Sequence, residues 1–295
     1  MEQLLSARIF GSIAATSAKA QTDLSAIDRA EYALIEFEGG FVAHDKHVSA
    51  HRAGPMICLV GGLPLFGSDE LDALARRVGP AAAWLEALER WGEATPTHAK
   101  GRFSVVLLDT AQRRATLITD RFGTRPLCYS ALNGTLAFSD RADAVPGGNR
   151  EILPQAIYDY LYFHVIPAPE TIFQGVRRLD AAHQLDWSPE ACEAARWWQP
   201  RFYEHEFGDL EARKQQFLDI VQASVAREAE SGEVGCFLSG GTDSSTVAGM
   251  LTKVLGQPAR SYSIGFDASG YDEMEYARIA AKRFGVDHRE YYVTP

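Results

Sequence analysis

Several things are scarce in this chain of 295 residues, and each scarcity removes a class of explanation. Its four cysteines, Cys58, Cys128, Cys192 and Cys236, lie far apart with no CxxC pair and no histidine cluster at ligand spacing. Neither a disulfide framework nor a zinc site is indicated, and the four read as reduced core thiols. Positive charge is in deficit: 29 Lys and Arg against 39 Asp and Glu leave a formal net charge of −10. That balance repels a polyphosphate backbone, so nucleic acid is not an expected partner. Long apolar runs are missing, the cleanest being about six residues around "FSVVLL", which is far short of a bilayer span; no membrane partner is expected. The opening "MEQLLSARIFGSIAATSAKA" has the small residues of a signal peptide, but Glu2 and Arg8 break its pattern, so a cytoplasmic location is the expectation. Low-complexity tracts are absent, and the length suits two domains.

What is present falls into two grammars. From about Arg8 to Asp140 short strand-like runs follow one another, among them "RIFGSIAAT", "ALIEFE", "MICLVGG", "RFSVVLLD", "RATLITD" and "TLAFS". Asn133-Gly134 marks a hairpin, because both central positions of a type I′ turn need positive φ. Two helical stretches, "DELDALARRVG" and "AAWLEALERWG", each close on glycine, and the whole reads as an α+β layered domain. A connector, "LPQAIYDYLYFHVIPAPETIF", begins as an amphipathic helix and stops before Pro167 and Pro169. Its aromatics Tyr158, Tyr160, Tyr162 and Phe163 are expected to pack in a core against a neighbouring domain, and Trp197-Trp198 to pack the joint. Beyond "ARWWQPRFYEHEFGD" strand and helix alternate, the pattern of a parallel sheet with crossover helices. The helix "STVAGMLTKVLG" carries Val247, Leu251, Val254 and Leu255 as the stripe expected to bury it on that sheet.

The loop between the first such strand and this helix, Ser239-Gly240-Gly241-Thr242-Asp243-Ser244-Ser245, carries the chemistry. It lies where free amides and the helix dipole favour an anion, and its glycines let a backbone approach phosphate oxygens. The hydroxyls of Ser239, Ser244 and Ser245 can donate to a pyrophosphate. Asp243 would repel a bare phosphate, so it makes sense as a ligand of Mg²⁺ bridging the phosphates. No lysine follows the glycines as in a Walker loop, and the GxGxxG of dinucleotide folds is absent. His44, His47 and His51 in "AHDKHVSAH" read as solvated loop histidines, and Asp120, Arg121 and Arg125 in "DRFGTRP" as a structural turn.

"FLSGGTDSS" resembles the SGGxDS pyrophosphate loop of the ATP pyrophosphatases, and its surroundings resemble the asparagine synthetase family. "SYSIGFDASGYDEMEYARIAAKRFGVDHRE" is similar to the segment after the loop. "KGRFSVVLLD", "TDRFGTRPLCYS", "LAFSDRADAV" and "PAPETIFQGVRRLDAAHQL" are similar, in order, to landmarks of that family's glutaminase domain and joint. The resemblance implies an Ntn-hydrolase-like αββα sandwich over residues 1–200, then over residues 205–295 the first part of an adenine nucleotide alpha hydrolase-like α/β domain. It implies ATP and Mg²⁺ as cofactors, a small-molecule or peptide carboxylate as substrate, and ammonia or an amine as nitrogen donor; a homodimer is left open. It places Leu238 and Ile264 beside the adenine, Ser239 to Ser245 on pyrophosphate, and Asp243 on the metal.

Two departures follow. The family's glutaminase uses an N-terminal cysteine, and the best match to its Cys-Gly start is Phe10-Gly11; its Asn-Gly oxyanion pair falls on Gly61-Gly62. Nucleophile and side-chain donor are both missing, and Cys58 inside "MICLV" is too desolvated to stand in. The domain is therefore expected to be catalytically degenerate, as in members resembling β-lactam synthetase and lasso-peptide cyclase. The second departure is length: the resemblance implies further strands and helices after "REYYV", so a fragment, or a remainder supplied by a partner chain, is expected. The function implied is an AMP-forming carbon–nitrogen ligase; the alternative is a non-catalytic scaffold or regulatory module that binds nucleotide weakly or not at all.

Overall fold

The computed structural model describes residues 7–16, 24–203, 209–229, 233–266 and 273–293. Glu2, the expected second-domain start at residue 205, and "DASGYD" within the family-like segment lie outside them. The chain divides into two compact units, Met1–Arg201 and Phe202–Pro295.

The first unit opens with β1 (Ile9–Ala14), β2 (Ala33–Phe37), β3 (Gly40–His44), β4 (Val48–Ala53) and β5 (Met56–Leu65). Helices α1 (Asp69–Arg77), α2 (Pro80–Trp91) and α3 (Thr95–His98) follow, then β6 (Lys100–Asp109), β7 (Arg114–Thr119), β8 (Cys128–Leu132) and β9 (Thr135–Ser139). Helix α4 (Pro154–Phe163) precedes β10 (Arg177–Arg178), β11 (His183–Trp187) and β12 (Cys192–Arg196). The strands form two six-stranded sheets, ordered β10-β8-β9-β1-β3-β2 and β12-β11-β7-β6-β5-β4. Every pairing in them is antiparallel.

The sheets meet face to face. Ile9, Val42, Leu136 and Phe138 of the first share one buried cluster with Ile57, Leu59, Val106, Leu108 and Leu117 of the second. Side chains alternate along a strand, so β5 sends Ile57 and Leu59 into that layer and Cys58 and Val60 out to the next, under α1 and α2 with Leu71, Ala83 and Trp84. Burial of both faces is why "MICLV" and "FSVVLL" lack polar alternation. The outer face of the first sheet is covered by short turns and loops, with Phe10, Phe41 and Ala43 packed against Ile27, Tyr32 and Ala144. Asn133 and Gly134 both have positive φ and join β8 to β9 as the hairpin turn.

The connector helix departs from expectation. Of α4 only Ala156 is buried; within their own unit Tyr158, Tyr160, Tyr162 and Phe163 are exposed. They associate among themselves, Tyr158 stacking on Tyr162 at 6.3 Å and Tyr162 meeting Phe163 edge-on at 4.8 Å. The near-continuous apolar run of this short helix wraps its surface rather than forming one stripe, so a single contact cannot bury it all. Trp197 is half-buried against the α1–α2 layer and donates to the Thr119 carbonyl at 3.2 Å, while Trp198 stacks beneath Arg121 and meets Phe122. These contacts all lie inside the first unit.

The second unit runs α5 (Leu210–Ala229), β13 (Gly235–Phe237), α6 (Thr242–Leu255), β14 (Arg260–Phe266), α7 (Met274–Phe284) and β15 (Asp287–Val293). Its three strands are parallel in the order β13-β14-β15. On β14 the face towards the helices is small and buried, Ser261, Ser263 and Gly265, while Tyr262, Ile264 and Phe266 face the other way and are exposed. Of the expected stripe on α6, Leu251 is buried and Val254 and Leu255 are half-buried, but Val247 is exposed and Ala248 is buried instead. Helix α6 packs closely on α7, where Gly249 lies under the Phe284 ring and a Cβ would sit 2.7 Å from it. Leu238, just after β13, joins Ala248 of α6 and Met274, Ala277, Ala280 and Ala281 of α7 in this core.

Candidate functional site

At the carboxyl end of β13 the chain turns sharply into α6. Leu238 is buried; its N–H donates to the Tyr262 carbonyl at 2.9 Å, and its own carbonyl accepts the Ser263 hydroxyl. Strand β14 thereby fixes the point from which the loop departs. Gly240 has φ +83°, and a Cβ there would lie 2.5 Å from the backbone of Tyr276 and Ala277 on α7, so the close seating of the loop on that helix demands glycine. Gly241 differs: its φ is −68°, and an added Cβ would meet only the Ser239 hydroxyl at 3.5 Å. The fold does not need glycine there, and the space a side chain would fill stands open beside the helix start.

Gly241 is the N-cap of α6 and supplies no side-chain cap; the first intrahelical bond runs from Ser245 N–H to its carbonyl at 3.0 Å. The amides of Thr242, Asp243 and Ser244 therefore start the helix without a capping side chain, at its positive dipole end. Asp243 is exposed in that first turn. The serines are more inward than their sequence role implied. Ser244 Oγ accepts the Ser239 N–H at 3.2 Å, lies 3.0 Å from Ser239 Oγ and donates to the Gly241 carbonyl at 3.2 Å. Ser245 Oγ is enclosed and has no hydrogen-bond partner.

Beside the loop, a cavity of about 280 Å³ opens at the carboxyl ends of β13 and β14. Leu238, Ser239 and Ile264 line it together, with Tyr262, Met274 and Glu273 among the other walls. Gly240, Gly241, Asp243, Ser244 and Ser245 lie along the adjoining loop rather than in the cavity wall. Sequence reasoning missed Glu273, Met274 and Ala277; the signal was their position at the start of the helix after β14, at the same sheet end as the loop. An uncapped helix start, an open approach at Gly241 and a half-apolar cavity fit a nucleotide. Among the described residues no three His, Cys, Asp or Glu groups converge to hold a metal. A lone carboxylate at Asp243 suits Mg²⁺, which commonly takes one or two protein carboxylates and completes its shell with phosphate and water.

The place matched to the glutaminase nucleophile is built differently. Phe10 is buried inside β1, paired with Ala43 and Ser139, and its ring meets Tyr32 at 5.3 Å and Phe41 at 6.3 Å. The chain continues on its amino side: Ala7 is buried and accepts the Tyr32 hydroxyl at 2.6 Å, and the Arg8 N–H donates to the Asp140 carboxylate at 3.0 Å. Burial lifts the Asp140 carboxyl above its ordinary range despite the amides of Arg8 and Ile9 that hold its charged form. Gly62, of the matched oxyanion pair, has φ +92° and sits where a Cβ would be 2.2 Å from the Arg102 carbonyl. Cys58 is fully buried in β5, and desolvation pushes its thiol far above the usual range.

All four cysteines are free. Cys58 and Cys128 are core thiols as expected, but Cys192 is exposed on β12 and Cys236 is half-buried, because β12 is an edge strand with all five residues exposed. His44 and His51 lie on strands rather than loops, with only His47 in the turn between them. Asp120 pairs with neither Arg121 nor Arg125; it is buried and accepts the N–H groups of Phe103, Phe122 and Thr124, which makes the turn structural.

Two stacked antiparallel sheets followed by a parallel sheet with a glycine-rich strand-to-helix loop define a two-part class: an Ntn-type amidotransferase sandwich and the first part of a parallel α/β domain. Residues 216–295 match the family model described as asparagine synthase, and residues 81–198 that of the glutamine amidotransferase domain. A Mycobacterium tuberculosis protein provisionally named a glutamine-hydrolyzing asparagine synthetase is 28% identical over 71% of this chain and 34% of its own. The glutamine-hydrolyzing asparagine synthetase 1 of Bacillus subtilis is 23% identical over 72% of this chain and 34% of its own. Amidase chyE of Penicillium rubens is 27% identical over 68% and 32%. The chain is thus similar to asparagine synthetases in both of its parts and spans about a third of the length of these relatives.

Proposed function

We propose that this chain is the glutaminase-like and nucleotide-binding portion of an AMP-forming amide synthetase, which activates a carboxylate with ATP and lets ammonia or a substrate amine displace AMP. The observation that carries this reading is the loop between β13 and α6, with its uncapped amides and open approach at Gly241. Thr242, Asp243 and Ser244 would present their N–H groups to the pyrophosphate portion, and Ser239 and Ser244 would hold the loop in shape through their mutual bonds. Leu238 and Ile264 would bracket the base. Mg²⁺, held by Asp243, would neutralise charge on the departing pyrophosphate.

The relatives named above as glutamine-hydrolyzing supply nitrogen from glutamine. Here we infer that the first unit does not, because a buried phenylalanine occupies the matched position and the chain runs on past it, leaving neither a thiol nor a free amine. Free ammonia or an amine on a second substrate is then the nitrogen source. An ATP-consuming reaction and buried free thiols accord with a reducing cytoplasmic setting. The test is a screen of carboxylates and amines with the full-length protein for AMP and pyrophosphate release. Carboxylate-dependent AMP without glutamine consumption supports the reading; nucleotide binding without turnover for any substrate favours the non-catalytic module.

A further inference from the structure

The cavity beside the loop contains one side chain whose charge the fold does not use. Glu273 lines it and is the only carboxylate or cation in that lining among the described residues. It occupies the N-cap of α7 yet makes no side-chain cap bond. Among the described residues its carboxylate has no ion-pair or hydrogen-bond partner, whereas its carbonyl accepts the N–H groups of Tyr276 and Ala277 and starts the helix. A carboxylate at a helix start gains a little from the dipole. Glu273 is exposed, and it stands at the rim of a cavity that it lines with Leu238, Tyr262 and Ile264.

The two ends of this site have opposite polarity. The start of α6 favours anions, while Glu273 repels them and also repels a carbonyl oxygen on a base. Only hydrogen-bond donors suit it. Its distance from the loop is set by the fold, because Gly240 seats directly on Tyr276 and Ala277, one turn along the helix that Glu273 begins. A nucleoside triphosphate offers the matching polarity: anionic phosphates at one end, and an exocyclic amine and ribose hydroxyls at the other.

We propose that Glu273 is a specificity-determining residue, accepting hydrogen bonds from the donor groups of the nucleoside and so selecting an amino-purine ribonucleotide. This rests on the reading of the loop as a nucleotide site. The test is equilibrium binding of ATP, ITP and 2′-deoxy-ATP, each with Mg²⁺, to the whole chain and to its Glu273→Ala and Glu273→Gln variants. ITP lacks the exocyclic amine and 2′-deoxy-ATP one hydroxyl, so the pair tells which donor is read. The unsubstituted chain is expected to bind ATP roughly 10-fold more tightly than at least one analogue, the effect of one hydrogen bond to a charged group. In Glu273→Ala that preference collapses to about twofold or less, with an intermediate value in Glu273→Gln. Thermal melting of both variants is expected to be unchanged, since the carboxylate makes no structural contact. Equal binding of all three nucleotides by the unsubstituted chain, or an undiminished preference in Glu273→Ala, overturns the assignment while leaving the loop reading intact. Failure of the unsubstituted chain to bind any nucleotide overturns both.

Discussion

Two places in this molecule stand where the family resemblance expects chemistry, and they are built in opposite ways. At Phe10 the fold closes over the site: the ring packs on Tyr32 and Phe41, the Tyr32 hydroxyl donates to the Ala7 carbonyl, and the Arg8 amide donates to Asp140. At the loop after β13 the fold leaves groups unspent: an uncapped helix start, an open face at Gly241, an enclosed but unpartnered Ser245 hydroxyl and an unpaired Glu273 carboxylate. The amides at the start of α6 and the Glu273 carboxylate are open to solvent and so remain free to meet a ligand. The difference teaches that, on the proposed reading, one chain can close one of its family's two sites and leave the other open.

The contrast can be broken at Phe10 first, where the largest effect is expected. Phe10→Ala should cost about 3–5 kcal/mol, the range for emptying an aromatic from a packed core, as a fall in denaturation midpoint. Phe10→Cys should also destabilise and release no ammonia from glutamine, since the thiol would be enclosed in strand β1 with no terminal amine beside it. Glutaminase activity in that variant would show that the pocket survives beneath the ring.

A smaller stability effect with a larger binding effect is expected at the loop. Gly240→Ala forces a side chain onto positive φ and against the α7 backbone, costing about 1–3 kcal/mol of stability. Displacing the loop should cost at least one hydrogen bond to the charged phosphates and weaken ATP binding by roughly tenfold or more. A variant that lost stability yet kept its affinity would mean that the seating on α7 is structural only. Smallest is the effect of thiol labelling. In the native protein at pH 8, Cys192 should react first and Cys236 next. Cys128, its thiol pushed up to about 12 by burial, and Cys58 should react only on unfolding. Early labelling of Cys58 would contradict the closed first unit.

Much of this architecture was legible in the residues themselves. Asn133-Gly134 announces its hairpin because few other pairs tolerate two positive φ values, and the loop announces its place because a strand pattern stops at Leu238 and a helical one starts at Thr242. What periodicity could not convey was which partner each apolar residue meets. Val247 has the spacing of a core residue on α6, yet Ala248 takes the buried place, packed with Leu238 and the alanines of α7. The aromatics of α4 are as apolar as any core, yet their number around a short helix leaves them exposed. Glu273 was hidden for another reason: a glutamate at a helix start is ordinary in sequence, and only the cavity it lines makes it unusual.

The measurement that bears most directly on the loop is an NMR titration of the amide resonances of the whole chain with ATP and Mg²⁺, repeated for Asp243→Ala. The largest shifts are expected at Thr242, Asp243 and Ser244, with Gly240 and Gly241 next, and with roughly tenfold weaker binding in the variant. Resonances that stay still there while others move around Phe10, or titration curves that Asp243→Ala leaves unchanged, would contradict a loop built to hold a magnesium-neutralised diphosphate.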